Sequence, residues 1–387
     1  MSEITPIAKP KNLNVCFLSP GASQLLNGSK LQRVIGPDVF CVMIGRELVK
    51  HGYQISFITS DERNELDIEE KENMRLINAY KSNKRYNVFT KMLLLWRAMK
   101  IANPDLFYHH GSIPGIGVVF AKLQGKRIVH YIGSDALVNR KILSRSTKEF
   151  KTSSLDIVNI CNQLDLLLAD QIIVQNEYQT KYLTDRTARK TTLIKKPVYV
   201  VQKPYHPKLI PQIVLWVGSI AEVKQPELVL KLAKANPHTL FKIIGGNAGC
   251  DTLCRKITEE SKVMENVEYI GVVPFEEIDT YFEMAYILIN TSLTEAYPPI
   301  AALQAWMNYT PVVSLGDNED EIIQKYGMGF HSRTIEQMNK DILYLIENED
   351  VTKQMGLNGR KYVEEEHCLD KIIDEHTILF TKMFDRS

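Results

Sequence analysis

The chain has 387 residues, 44% of them apolar and 24% charged, with 47 basic side chains against 46 acidic ones. This composition excludes a disordered, collagen-like or disulfide-scaffold protein. A single hydrophobic core stops growing near roughly 250–300 residues, so two domains are expected.

The near-zero net charge hides an asymmetry. Residues 1–200 carry 29 Lys and Arg against 18 Asp and Glu, a net +11, whereas the remainder, with 18 against 28, is −10. A basic first half suits an anionic ligand or surface. No apolar run reaches the ~18 residues of a membrane span, and the opening MSEITPIAKPKNLNVCFL lacks a signal-cleavage pattern. Six scattered cysteines fit a reduced, cytoplasmic protein; Cys250 and Cys254 form a lone C-x3-C that reads as helix packing rather than zinc binding.

Taken in chain order, short runs rich in Val, Ile, Phe and Tyr predict strands at Asn14–Ser19, Gln54–Thr59, Leu106–Tyr108, Arg127–Ile132 and Gln171–Val174. Helical patterns lie between them at Val39–Lys50, Phe89–Ala102, Gly115–Leu123, Leu155–Leu168 and Glu177–Leu183, and Gly52 and Gly125 stand where C-terminal caps belong. The stretch Lys81–Lys100 sets a basic face around an apolar stripe. It fits either a core-packed helix with a solvated face or attachment to an anionic membrane. After the proline-spaced segment 197–212 the pattern restarts, with strands predicted at Ile213–Val217, Leu240–Ile244, Val267–Ile270, Ile287–Asn290 and Pro311–Ser314. Strand–helix alternation of this kind implies parallel sheets and a ligand in the cleft between two domains. The expected division is 1–200, 201–370 and a terminal helix within 371–387.

The chemistry concentrates at strand ends. Gly218 and Ser219 follow the first strand of the second half, with Lys224 just before a helix; main-chain N–H groups and a cation there suit a diphosphate. Lys224 on this pattern alone also fits a solvated lysine. Gly245 and Gly246 end the next strand, in a turn that permits close approach of a ligand or simply φ > 0. Glu295 follows a later strand, ahead of the Pro298–Pro299 turn and a helix bearing Gln304; it fits a site acid or a residue complementing the helix dipole. No phosphate-loop motif and no metal-ligand cluster stands out.

Read together, these segments resemble the retaining nucleotide-sugar glycosyltransferases of family 4, whose GT-B fold faces two Rossmann-like domains. The resemblance rests on NVCFLSP, the G-P-D-V at Gly36–Val39, GRELVKHGYQISFIT, NPDLFYHHGS, ADQIIVQNEYQ, VGSIAEVKQPE, TEAYPPIAALQAW and MGLNGRKYVEEEH, in that order. It implies transfer of a hexose from a UDP- or GDP-sugar to a glycan or lipid-linked acceptor, with no metal or other cofactor and no nucleic-acid partner.

By the same resemblance Lys224 neutralises the departing diphosphate and Glu295 lies near the donor sugar. Gly36 approaches the phosphates from across the cleft, Val273 and Pro274 contact the base, and Tyr297, Ile300 and Gln304 complete the donor site. Ser219 stands where relatives carry arginine, Gln304 where they carry a second glutamate, and Ile132 where many carry histidine. On the acceptor side His109, His130 and Asp135 are candidates; His109 and His110 together end a strand, where one points into the cleft or both are structural, His130 also fits a core residue, and Asp135 an N-cap for the helix expected after it. The three departures leave open a silent GT-B subunit that binds a glycan or partner protein, or a GT-B epimerase or phosphorylase.

Overall fold

The structure is a computed structural model that describes residues 12–27, 36–110, 116–135, 138, 160–161, 163–186, 190–208, 211–274, 277–292, 298–316 and 320–385. Its strands are β1 (Asn14–Leu18), β2 (Gln54–Thr59), β3 (Ile68–Lys71), β4 (Met74–Asn78), β5 (Leu106–His109), β6 (Arg127–Tyr131), β7 (Gln171–Val174) and β8 (Thr191–Leu193), then β9 (Ile213–Val217), β10 (Leu240–Ile244), β11 (Val267–Gly271), β12 (Ala285–Asn290), β13 (Val312–Ser314) and β14 (Gly329–His331). They form two sheets, ordered β3-β4-β2-β1-β5-β6-β7-β8 and β11-β10-β9-β12-β13-β14. Every pairing is parallel except β3 with β4. This is the GT-B arrangement of two Rossmann-like domains.

Parallel strands covered on both faces must be apolar throughout, and β1, β5 and β6 are buried along nearly their whole length. Alternation then splits their side chains between two cores. Phe17, Tyr108 and Tyr131 pack on one face with Phe40, whereas Cys16, Phe107 and Ile128 pack on the other with Met99 and Val118. Gly52 and Gly125 take φ of 86° and 68°, as caps in the left-handed region.

Five elements escape the sequence pattern. The β3–β4 hairpin begins with the polar, mostly exposed IEEK and turns through Glu72 and Asn73, both at positive φ. Such an edge carries no apolar run to read. β8 and β14 have three residues each, and Ala22–Asn27 is a single short helix. Of the helix expected over Leu155–Leu168, only residues 160–161 and 163–168 lie among those described.

The last helix, Leu369–Phe384, returns to the first sheet. Its Ile372, Ile373, Leu379 and Phe380 are buried in the core of Phe17 and Tyr108, and the Tyr108 hydroxyl lies 2.9 Å from His376 Nε2. Four aliphatic and aromatic side chains buried at about 1.5–3 kcal/mol each make this a strong attachment.

Candidate active site

The carboxyl ends of both sheets open into one cavity of about 390 Å³, lined from the first domain by Gly36, Phe40, His110, Gly133 and Lys196, and from the second by glycine turns and the start of a helix. Parallel strands end here, so loops with unpaired main-chain groups gather at this edge.

On the second-domain side the two glycine turns are zipped together. Gly218 N–H donates to the oxygen of Ile244 at 3.0 Å, and Ile220 N–H to that of Gly246 at 2.8 Å. Gly245 has φ of 152°, and a Cβ added there would stand 1.7 Å from the Gly218 carbonyl oxygen. Only glycine fits, for both conformational and steric reasons. Gly218, Ser219, Gly245 and Gly246 all line the cavity.

Lys224 lines it too, at the end of the 3-10 turn Glu222–Lys224. A relay from the sheet fixes its backbone: Trp216 Nε1 donates to Thr291 Oγ1 at 2.9 Å, and that hydroxyl donates to the Lys224 oxygen at 2.7 Å. The facing wall is the helix Ile300–Met307. Its first N–H groups, on Ile300 and Ala301, have no partners within the helix and sit at the cavity, giving it a positive end. Gln304, one turn on, is nearly buried and lines the same wall, as does Val273.

Across the cleft the helix Gly36–Lys50 starts at the cavity. Its Asp38 accepts a 2.6 Å bond from Ser19 Oγ at the end of β1, which anchors the first turn. A Cβ on Gly36 would come within 3.2 Å of the Ile300 side chain, so the two domains approach closely at this glycine.

Some expected site residues are not among those described, and others lie away from the cavity. Glu295 and Tyr297 fall outside the described residues. Pro274 is exposed and does not line the cavity, whereas Val273 does. His109 and His130 are register partners on β5 and β6 whose side chains take the sheet face opposite Tyr108 and Tyr131, away from the cavity. The histidine that reaches the cavity is His110, one residue beyond the strand; its ring stacks on Tyr131 and packs against Phe40, and burial, the largest cause, pushes its pKa down to about 3.

Asp135 is buried beside the wall rather than in it. Its Oδ1 accepts from Asn176 Nδ2 at 3.0 Å and Gln179 Nε2 at 2.7 Å, and burial raises its pKa to about 6 against the opposing effect of those amides. It therefore supports the start of the helix Glu177–Arg186, and the helix expected directly after it lies outside the described residues. Asn176 Oδ1 in turn caps the helix Glu177–Arg186 through Gln179 N–H.

Residues that the sequence reading passes over complete the junction between domains. Lys196 lines the cavity from the first domain and donates to the oxygen of Pro298 in the second at 2.8 Å. Asp320 of the second domain accepts the N–H groups of Glu177 and Tyr178, at 2.9 and 2.8 Å, closing the start of a first-domain helix. A lysine before a proline and an aspartate in a loop carry no sequence signal of their own.

Comparison with known proteins agrees with this geometry. Residues 35–200 match the model of Glycosyltransferase Family 4, and residues 203–362 that of Glycosyl transferases group 1. An uncharacterized glycosyltransferase of Methanocaldococcus jannaschii is 24% identical over 303 residues, 74% of this chain and 75% of that one. Among solved structures, sucrose-phosphate synthase of Thermosynechococcus elongatus superposes with a TM-score of 0.79 at 17% identity, covering 97% of this chain and all of that one. Anabaena HepE in complex with UDP-glucose does so with a TM-score of 0.71 at 11% identity, over 96% of this chain and all of that one. The two family models divide at the segment between the sheets and together take in both domains, so the chain belongs to the GT-B glycosyltransferases of the family 4, group 1 type.

Proposed function

We propose that the protein transfers a hexose from a UDP-sugar to a glycan or lipid-linked acceptor, with retention at the anomeric carbon and no metal at the reacting phosphates. The observation that carries this reading is the cavity wall itself, where two glycine turns, Lys224 and the start of the helix Ile300–Met307 converge on one volume. Main-chain N–H groups, a helix N-terminus and a lysine are together a diphosphate site. The UDP-glucose held by the Anabaena protein of the same fold favours a uridine donor.

In the transfer, the bond from the anomeric carbon to the diphosphate oxygen breaks and the acceptor hydroxyl oxygen bonds to that carbon on the same face. The hydroxyl proton leaves with the diphosphate. Negative charge grows on the leaving phosphate, and Lys224, whose main-chain oxygen is held by the Trp216–Thr291 relay, supplies a cation to stabilise it. Lys196 adds a second cation from the other domain. Gln304 suits a ribose hydroxyl, having both donor and acceptor atoms.

The acceptor reaches the site along the first, basic domain. On the helix Val88–Ala102, Val88, Phe89 and Leu93 are 70%, 83% and 50% exposed, among the exposed Lys84, Arg85, Lys91 and Arg97. Apolar side chains ringed by cations suit the cytoplasmic face of an anionic membrane that carries a lipid-linked acceptor. The test is turnover of UDP- and GDP-hexoses, with and without EDTA, followed by NMR of the product anomer. UDP-sugar consumption that survives EDTA and yields the donor's anomeric configuration supports the proposal; inversion, or dependence on a divalent ion, refutes it.

A further inference from the structure

A second cluster lies on the far side of the first sheet from the donor cavity. His109 at the end of β5 and His130 in β6 are neighbours across the parallel register, so their side chains stand together on one face. Their Nδ1 atoms face each other at 3.1 Å, and Asp165 Oδ1 lies 3.8 Å from the same His109 nitrogen. All three residues are at most 3% exposed, and the three donor atoms fall within 4.8 Å of one another.

From this geometry we propose that His109, His130 and Asp165 bind one divalent transition-metal ion, Zn²⁺ being the best match. Donors held at about 2.0–2.1 Å around a tetrahedral zinc stand roughly 3.3–3.5 Å apart, close to the two spacings observed. Two imidazoles and one carboxylate are a recurrent donor set for zinc and iron(II), and too rich in nitrogen for calcium or magnesium. Burial pushes the pKa of both histidines down, His130 to about 4, which disfavours a charged imidazolium pair at this spot. Among the described residues no fourth His, Cys, Asp or Glu joins the three, so the fourth position of a tetrahedral ion is open to water.

The ion ties two strand ends to the described helical stretch 163–168 and so stiffens the wall behind His110 and Gly133. Its part is structural. It lies away from the donor phosphates, and no step of the transfer runs through it.

The test uses the full chain produced without a histidine tag. Elemental analysis after gel filtration is expected to find about one zinc per chain in the wild type and less than roughly a tenth of that in His130→Asn and Asp165→Asn. The wild type should melt lower after treatment with a strong chelator and recover with added Zn²⁺, and the variants should respond to neither. If the variants do not fold, Co²⁺ added to the stripped wild type decides: visible bands of a four- or five-coordinate ion support the site. Less than about a tenth of an equivalent of metal, with melting indifferent to chelator and zinc, overturns it in favour of a hydrogen-bonded His–His–Asp network, as does zinc retained equally by both variants.

Discussion

Lys196 Nζ donates to the main-chain oxygen of Pro298 at 2.8 Å, so a cation of the first domain rests on the turn that opens the donor-side helix of the second. The backbone beneath it is fixed. His367 Nδ1 bonds the Lys196 oxygen at 2.7 Å, Val198 N–H donates to the His367 oxygen at 2.9 Å, and Lys195 pairs with Glu366 at 2.7 Å. The end of the segment MGLNGRKYVEEEH thus clamps the strip of chain that carries Lys196 to the cavity.

Lys196→Met keeps the aliphatic stem and removes the charge. A charge-assisted hydrogen bond at a partly open site is worth about 1.5 kcal/mol, so UDP is expected to bind about tenfold more weakly, with the circular dichroism unchanged. Calorimetric titration checks this; wild-type affinity in the variant would show that the cation does not reach the phosphates.

Gly245→Ala places a methyl group against the Gly218 carbonyl and asks alanine for φ of 152°. Backbone is the obstacle, so no side chain can move aside. The expected cost is about 2–4 kcal/mol, read as a fall in melting temperature together with loss of nucleotide binding. An alanine variant as stable as the wild type would mean that the two turns are not locked together as described.

The buried histidines His376 and His367 give the fold an acid limit. Burial lowers their pKa to about 4 and about 3, below the ordinary 6.5. His376 faces the Tyr108 hydroxyl and the Ile372 carbonyl; His367 faces the Tyr362 hydroxyl and the Lys196 carbonyl, near Lys195 and Glu366. The unfolded chain takes up their protons first. The stability they contribute is therefore complete above about pH 6.5 and falls by about 1.4 kcal/mol per pH unit and group as the pH drops towards the folded values. Melting curves between pH 7.5 and 5 should steepen below 6.5, and His376→Gln, less stable at neutral pH, should lose less on acidification. An equal acid slope in the variant would contradict this.

Much of the fold was legible because buried parallel strands must be apolar along their length, which marks β1, β2, β5 and β9 in the sequence without ambiguity. The polar β3 edge left no such trace. Half of the candidate site was legible for a related reason. The Gly245 turn needs glycine, and Lys224 follows a glycine turn at fixed spacing. Lys196, Asp320 and the Trp216–Thr291 relay were not legible, since each acts through contacts more than 60 residues away in the chain. His130 sits in the core, as its alternation with Ile132 allowed, and of the two histidines that end β5 it is His110 rather than His109 that reaches the cavity.

The central claim, that the junction of the two sheets holds a nucleoside diphosphate against Lys224, is tested most directly by calorimetric titration of UDP into the wild type and Lys224→Ala, with tryptophan fluorescence as a second reading, Trp216 being the tryptophan that lines the cavity. One UDP per chain is expected in the wild type, with affinity reduced at least about tenfold in the variant and a fluorescence change that follows occupancy. No binding of UDP to the wild type at millimolar concentration, or equal binding to both proteins, would contradict it.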